Sequence, residues 1–286
     1  MLKTIDGLAR RLVGSSFVNM RRFLFRILSV GPIPNHIAFI LDGHRRYAKQ
    51  RNIAEGTAYR AGFLTLISMH KYCYELGVKY MTIFAFSIDN FKRRPEEVQY
   101  LMDLMLEKIE VLLKQESVIN EYGVRIHFVG NLNLLDEPVR VAVEKVMQAT
   151  ANNTKSNLLI CVAYTSADEI VHAVQAFCQE KWNEIQENVD QSRNAEITEE
   201  KFELDHSIKL VDIERHTYMG LAPDPDILIR TSGAARLSNF LLWQTRNCLL
   251  YSPKVLFPEI GLRHLVWAVL NFQRLYPHLE KEKKQL

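Results

Sequence analysis

Short apolar runs punctuate the chain at intervals: His36 to Leu41, Tyr80 to Phe86, Val124 to Val129, Leu158 to Tyr164 and Ile227 to Ile229, with Cys248 to Tyr251 a weaker sixth. Several are apolar on successive residues, the pattern of strands covered on both faces, as in a parallel sheet. Helical periodicity fills the gaps. It is clearest from Glu96 to Gln115, where Val98, Leu101, Met102, Met105, Ile109 and Leu112 fall on one face. Strands alternating with helices predict a single α/β domain with a central, mostly parallel six-stranded sheet flanked by helices and joined by right-handed crossovers.

Two segments stand outside that rhythm. Residues 1–30 read as a basic amphipathic helical segment. Ile5, Leu8 and Leu12, then Met20, Phe23, Leu24, Ile27 and Leu28, recur at helical spacing beside Lys3, Arg10, Arg11, Arg21, Arg22 and Arg26. Such a helix suits either an anionic membrane surface or packing on the domain. Gly31-Pro32-Ile33-Pro34 then stops it, so the main domain spans 31–286. From about 179 to 206 the chain turns polar and acid-rich, which predicts a helix extension followed by an insertion rather than a second domain.

Composition narrows the function classes. The chain has 286 residues, 48% of them hydrophobic, enough to build a core. A net charge of +3 gives no basis for nucleic-acid binding. The four cysteines, Cys73, Cys161, Cys178 and Cys248, form no CxxC pair, so neither a disulfide framework nor a zinc site is expected. No apolar stretch approaches the about 20 residues of a membrane span.

Ligands of open α/β sheets bind where strands end at their carboxyl side. The first strand ends in Asp42-Gly43-His44-Arg45-Arg46. A carboxylate that can hold Mg²⁺, a glycine turn and two guanidiniums suit a metal-chelated diphosphate, although the same residues fit a plain surface turn. The second strand ends in Phe86-Ser87-Ile88-Asp89-Asn90-Phe91-Lys92-Arg93-Arg94, which offers a hydroxyl, an amide and cations, or simply a solvated basic loop. After the fifth come Arg230-Thr-Ser-Gly-Ala-Ala-Arg236-Leu-Ser238-Asn-Phe-Leu-Leu-Trp-Gln244, where Arg230, Arg236 and Ser238 can converge on a second diphosphate. Leu241, Leu242 and Trp243 read as core.

In that order and spacing the three motifs resemble the cis-prenyltransferases, the undecaprenyl and dehydrodolichyl diphosphate synthases and the plant rubber-type enzymes. The plant branch is the nearest in wording, at Gly31-Pro-Ile-Pro, Cys73-Tyr-Glu-Leu-Gly-Val-Lys-Tyr and Trp267-Ala-Val-Leu-Asn-Phe-Gln. The resemblance implies an undecaprenyl diphosphate synthase-like fold. It also implies condensation of isopentenyl diphosphate, in cis geometry and with Mg²⁺, onto an allylic primer such as farnesyl diphosphate to make a long-chain polyprenyl diphosphate. On this reading Asp42 is the catalytic, metal-associated acid with His44 in the same motif. Gly43, Arg45 and Arg46 bind the primer diphosphate. Ser87, Asn90, Phe91 and Arg93 position the substrates, while Arg230, Arg236 and Ser238 take isopentenyl diphosphate. Val98, Leu101, Met102, Met105 and Ile109 line the product tunnel.

Three positions depart from the family's pattern: His44 replaces Asn, Tyr59 replaces His, and Ala234 replaces Glu. They leave open a catalytically impaired scaffold subunit or paralogue as the alternative. The charge of His44 is expected to vary with pH. The sequence closes Leu279-Glu-Lys-Glu-Lys-Lys-Gln-Leu286, without the Arg-x-Gly segment of homomeric members. The resemblance therefore implies a Nogo-B-receptor-like partner subunit that supplies it, at the cytosolic face of the endoplasmic reticulum.

Overall fold

The computed structural model describes residues 18–194 and 208–283. The six strands are β1 (His36–Ile40), β2 (Tyr80–Ser87), β3 (Val124–Val129), β4 (Ser156–Tyr164), β5 (Ile227–Arg230) and β6 (Leu249–Tyr251). They form one sheet in the order β3-β4-β2-β1-β5-β6. All five pairings are parallel, sharpening the mostly parallel expectation. Parallel neighbours cannot be joined by a tight hairpin, so a crossover must intervene each time.

The helices are α1 (residues 18–28), α2 (His44–Arg51), α3 (Glu55–Leu76), α4 (Pro95–Lys114), α5 (Glu116–Tyr122), α6 (Glu137–Ala149), α7 (Ser166–Asn194), α8 (Leu210–Glu214) and α9 (Leu262–Lys283). Local chemistry sets several boundaries. Pro95 opens α4 with Glu96 and Glu97 in its first turn, where the missing N–H costs nothing and acid meets the positive end of the helix. Gly77 ends α3 with φ 96°, a conformation that glycine adopts freely.

β1 is buried along its whole length, and alternate residues serve opposite faces. Ile37 and Phe39 pack with Met69 and Cys73 of α3 and Leu265 and Phe272 of α9. Ala38 and Ile40 join Leu159, Leu228 and Phe240 beneath the other face. A third cluster joins α4 and α6 to β3 and β4 through Met102, Ile109, Val143 and Phe128. All four cysteines are free thiols, and burial pushes Cys73 up to about 12.

The N-terminal segment is described only from residue 18, so Ile5, Leu8 and Leu12 lie outside the described residues. The α1 portion is helical and packs Phe25 and Leu28 into the core, while Arg21 pairs with Glu75 at 2.8 Å. Helix α7 continues through residue 194, as the helix extension required, and 195–207 fall outside the described residues.

His36 is fully buried at the start of β1, with Nδ1 2.6 Å from the Pro223 carbonyl oxygen and Nε2 2.7 Å from Thr82 Oγ1. Burial lowers it from 6.5 to about 4. The unfolded chain therefore takes up a proton below pH 6.5 that the folded chain refuses until about pH 4. Folding stability should fall as pH drops through this window, by on the order of 2 kcal/mol from this group at pH 5. A urea midpoint that drops between pH 7.5 and 5 in the wild type, with the drop reduced in His36→Gln, checks it.

Candidate active site

Sheet order explains why motifs far apart in sequence meet. The chain runs from β1 to β2 on one side and returns through β5 on the other, so β2, β1 and β5 are neighbours at the sheet centre. A crevice at the carboxyl ends of such strands is where this architecture binds ligands. Register places Ile40 beside Arg230, and the three strands release Asp42, Ser87 and Thr231 into one space.

Gly43 makes the first turn possible. Its φ of 118° is left-handed, and a Cβ there would lie 2.9 Å from Leu256. The chain then enters α2, whose first-turn N–H groups have no intrahelical acceptor and point the positive helix end at the crevice. Thr231 fixes the strand end above it: its Oγ1 accepts from the Asp42 N–H at 2.9 Å and donates to the Asp42 carbonyl at 2.6 Å. The sequence gives no signal for this staple beyond the threonine after Arg230.

Asp42 accepts from Arg230 Nη2 at 2.9 Å and from Arg46 Nη2 at 3.2 Å. Burial alone would raise its pKa. The hydrogen bond from Arg230, the neighbouring Ser232 hydroxyl and the charges of Arg230 and Arg46 outweigh burial and hold it below its ordinary value. The Ser232 hydroxyl makes no hydrogen bond, so the two arginines dominate. Asp42 is thus ionised at neutral pH.

Arg230 reaches the site but is largely committed. Only 5% exposed, it donates through Nη1 to the Arg236 carbonyl at 2.7 Å and to Ser238 Oγ at 2.6 Å, leaving Nε a buried donor without a partner. The guanidinium therefore ties Asp42 to the 236–238 loop. That loop runs through left-handed conformations at Ser238, Asn239 and Leu241, costly for residues with a Cβ unless the surroundings impose them. They do here. Asn239 takes up the N–H groups of Ser166 and Ala167, and Ser166 Oγ accepts from Leu242 N. Gln244 donates to the buried Glu169, whose pKa burial pushes up. The Arg236 guanidinium stays exposed at the mouth.

On the β2 side, Ser87 and Asn90 form a reciprocal capping box: Ser87 Oγ accepts from Asp89 N, and Asn90 Oδ1 accepts from Ser87 N. Arg93 donates to Glu97 at 2.8 Å, and Arg45 sits 4.0 Å from the same carboxylate. Glu97, which the sequence reading passed over, thereby links the second motif to α2.

These groups surround the mouth of a cavity of about 1260 Å³. Asp42, Gly43, His44, Arg45, Arg46, Ser87, Asn90, Arg93, Arg230, Arg236 and Ser238 all line it. Of the expected tunnel face, Leu101, Met105 and Ile109 line the bore with Phe63, Leu66 and Phe128. Three expected site residues do not line it. Phe91 packs edge-on against Phe86 at 4.9 Å, and Met102 and Val98 turn into the α4–α6 core. A helix spreads a broad apolar stripe over two contacts, so periodicity alone could not divide the tunnel from the core.

The departures His44 and Tyr59 are in contact. Their rings stack with centroids 4.9 Å apart, and His44 also lies 5.1 Å from Phe257. Burial lowers His44 to about 4 despite the pull of Asp42 and the Leu41 carbonyl, so its imidazole is neutral at physiological pH rather than titrating there. Gly62 clears the space, since a Cβ on it would overlap His44 Nε2. Gly62→Ala should cost about 1–3 kcal/mol by overpacking. His44→Ala in the same chain should relieve most of that, a coupling measurable by a urea double-mutant cycle.

The comparisons agree with this architecture. The sequence pattern described as putative undecaprenyl diphosphate synthase matches residues 40–278. A dehydrodolichyl diphosphate synthase of Solanum lycopersicum is 60% identical over 95% of this chain and 94% of its own length. A rubber cis-polyprenyltransferase of Hevea brasiliensis is 57% identical over 93% of each chain. Lavandulyl diphosphate synthase from Lavandula x intermedia, solved with dimethylallyl diphosphate, superposes with a TM-score of 0.70 at 27% identity, over 84% of this chain and 95% of that one. The family match over residues 40–278 and these relatives place the chain in the class of prenyl diphosphate synthases. Within that class, the chain belongs to the cis-prenyltransferase family.

Proposed function

We propose that this chain is the catalytic subunit of a cis-prenyltransferase that extends farnesyl diphosphate with isopentenyl diphosphate into a long-chain polyprenyl diphosphate. The observation that carries the reading is the division of one cavity into a cationic mouth and an apolar bore. The mouth fits diphosphates and the bore fits a growing hydrocarbon.

The α2 N-terminus, Arg45 and Arg46 face the primer diphosphate and stabilise the negative charge that develops as it leaves the allylic carbon. Arg236 faces the second diphosphate, and Arg230 acts there by holding the 236–238 loop through the Arg236 carbonyl and Ser238. Arg93, braced by Glu97, adds a third cation to the same cavity. Among the described residues no group of three or more metal-binding side chains can close around an ion. That fits Mg²⁺, which is usually held by one or two carboxylates, waters and substrate phosphates. Asp42 would hold it, and when bound it would neutralise diphosphate charge.

The human relative, 40% identical over 92% of this chain, is named a complex subunit. By analogy this chain works with a Nogo-B-receptor-like subunit that contributes an Arg-x-Gly segment to the mouth. No described helix is long and apolar enough to cross a membrane. On this reading the partner attaches the complex to the cytosolic face of the endoplasmic reticulum, helped by α1. Met20, Phe23, Ile27 and Val30 form an exposed apolar stripe there beside exposed Arg22 and Arg26.

The scaffold alternative draws on His44, Tyr59 and Ala234, but a scaffold has no need of an ionised acid among converging arginines. The test is incorporation of labelled isopentenyl diphosphate onto farnesyl diphosphate with Mg²⁺, by the chain alone and with the partner. Polymer with the partner is expected, and none in either case supports the scaffold. Full activity alone contradicts the heteromer.

A further inference from the structure

The bore's wall carries a cation that the apolar pattern of α4 concealed. Leu101, Leu104, Met105, Lys108 and Leu112 follow one another at helical spacing along the lining, and all but Lys108 are apolar. The other charged lining residues belong to the mouth: those of the three motifs, together with Lys49 of α2 and Glu55 at the start of α3. From Pro95 to Lys108 the helix rises about 20 Å at about 1.5 Å per residue, so Lys108 stands deep along the path of a growing chain.

Its side chain, 20% exposed, sends the ammonium toward the seam between α4 and α3. There Nζ lies 2.7 Å from Glu107 Oε1 and 5.2 Å from the ring centroid of Phe63, itself a lining residue of α3. The methylene stem covers the bore while the charge stays at its edge. Arg60 of α3 adds its charge to the Glu107 side of this seam. Elsewhere on α3, Leu64 and Ile67 are 66% and 49% exposed. The Glu107–Lys108 pair lies within α4, and the contact that spans α4 and α3 is the ammonium over the Phe63 ring.

We propose that Lys108, held over Phe63 and by Glu107, is a determinant of product length, closing the seam through which a long hydrocarbon leaves the bore. The inference rests on the prenyltransferase reading above. A chain that has filled the cavity must grow past the ammonium. It can do so only by displacing the cation from the aromatic face of Phe63, a barrier absent where the wall is apolar. Chains pause there, and release competes with further addition.

The experiment compares product lengths by reversed-phase chromatography for the full chain, with its partner subunit present, in the wild type, Lys108→Met, Lys108→Arg and Glu107→Gln. Lys108→Met keeps an unbranched stem and removes the charge, and its modal product should be longer by one or more isoprene units. Lys108→Arg retains a cation that stacks on Phe63 and should keep the wild-type distribution. Glu107→Gln loosens the ammonium and should shift lengths the same way by less. Because Glu107 is on the surface, that variant decides the matter if Lys108→Met does not fold. Unchanged or shorter products from both charge-removing variants would overturn the proposal while leaving the enzyme reading intact. A wild type that makes no polymer would overturn both.

Discussion

Asp42→Asn should lower turnover by about 10³-fold or more, on the order of 4 kcal/mol of transition-state stabilisation. The substitution keeps the shape and some of the hydrogen bonding to Arg230 and Arg46, which contact the two carboxylate oxygens at 2.9 and 3.2 Å. It removes the charge that would hold Mg²⁺ against the primer diphosphate. Because Asn leaves the buried Arg230 without its counter-charge, stability should also fall, by about 1–3 kcal/mol, so activity is compared at a temperature where the variant is folded. Farnesyl diphosphate binding without metal should survive because Arg45, Arg46 and the α2 amides remain. Single-turnover incorporation of labelled isopentenyl diphosphate, with binding measured separately, checks both halves. A variant within tenfold of wild type would remove Asp42 from the chemistry.

Arg230→Met should damage stability and activity together. The side chain is 7% exposed and makes three donor contacts: to Asp42, to Ser238 and to the Arg236 carbonyl. Removing one member of a buried pair strands the other, at a cost of about 3–5 kcal/mol when both are fully buried. Asp42 keeps Arg46 and is 25% exposed, so about 3 kcal/mol is expected. The 236–238 loop also loses its anchor, and with it the placement of Arg236, so activity should fall by about 10²-fold even at a temperature where the variant is folded. Chemical denaturation and a KM for isopentenyl diphosphate that rises more than the KM for farnesyl diphosphate would show both effects. A variant with wild-type stability would mean that the Arg230–Asp42 contact contributes nothing to the fold.

The contrast between these two residues marks what was readable from sequence. The strands were legible because burial on both faces leaves unbroken apolar runs, and Val124–Val129 begins and ends where the run does. Strand ends then pointed to Asp42, Ser87 and Arg230 without knowledge of sheet order. What the motifs could not convey was who holds whom. Arg230 looked like a free cation, whereas spatial proximity commits it to Asp42 and Ser238. His44 looked like a pH-sensitive group until burial against Tyr59 and Phe257 made it neutral. Lys108 was invisible because a helical stripe tolerates one snorkelling lysine. Periodicity does not say which neighbour a face meets, so Val98 and Met102 could not be told from the tunnel wall, and the motif that carries Phe91 does not say that its ring packs on Phe86.

The two departures His44 and Tyr59 also change meaning once they are seen in contact. As separate substitutions they suggested two losses in the site. Stacked, with Gly62 making room, they form one locally consistent arrangement in which the ring from α2 fills space against α3. Such mutual fit is what a sequence still specifying an ordered site would show.

The most direct test of the account is a crystal structure of the chain with its partner, Mg²⁺, isopentenyl diphosphate and a farnesyl diphosphate analogue that cannot ionise. The primer diphosphate should lie at the α2 N-terminus beside Arg45 and Arg46, with its hydrocarbon running along Leu101 and Met105 toward Lys108. The second diphosphate should rest against Arg236. A hydrocarbon lying outside the α3–α4 cavity, or a primer diphosphate bound away from Asp42, would contradict it.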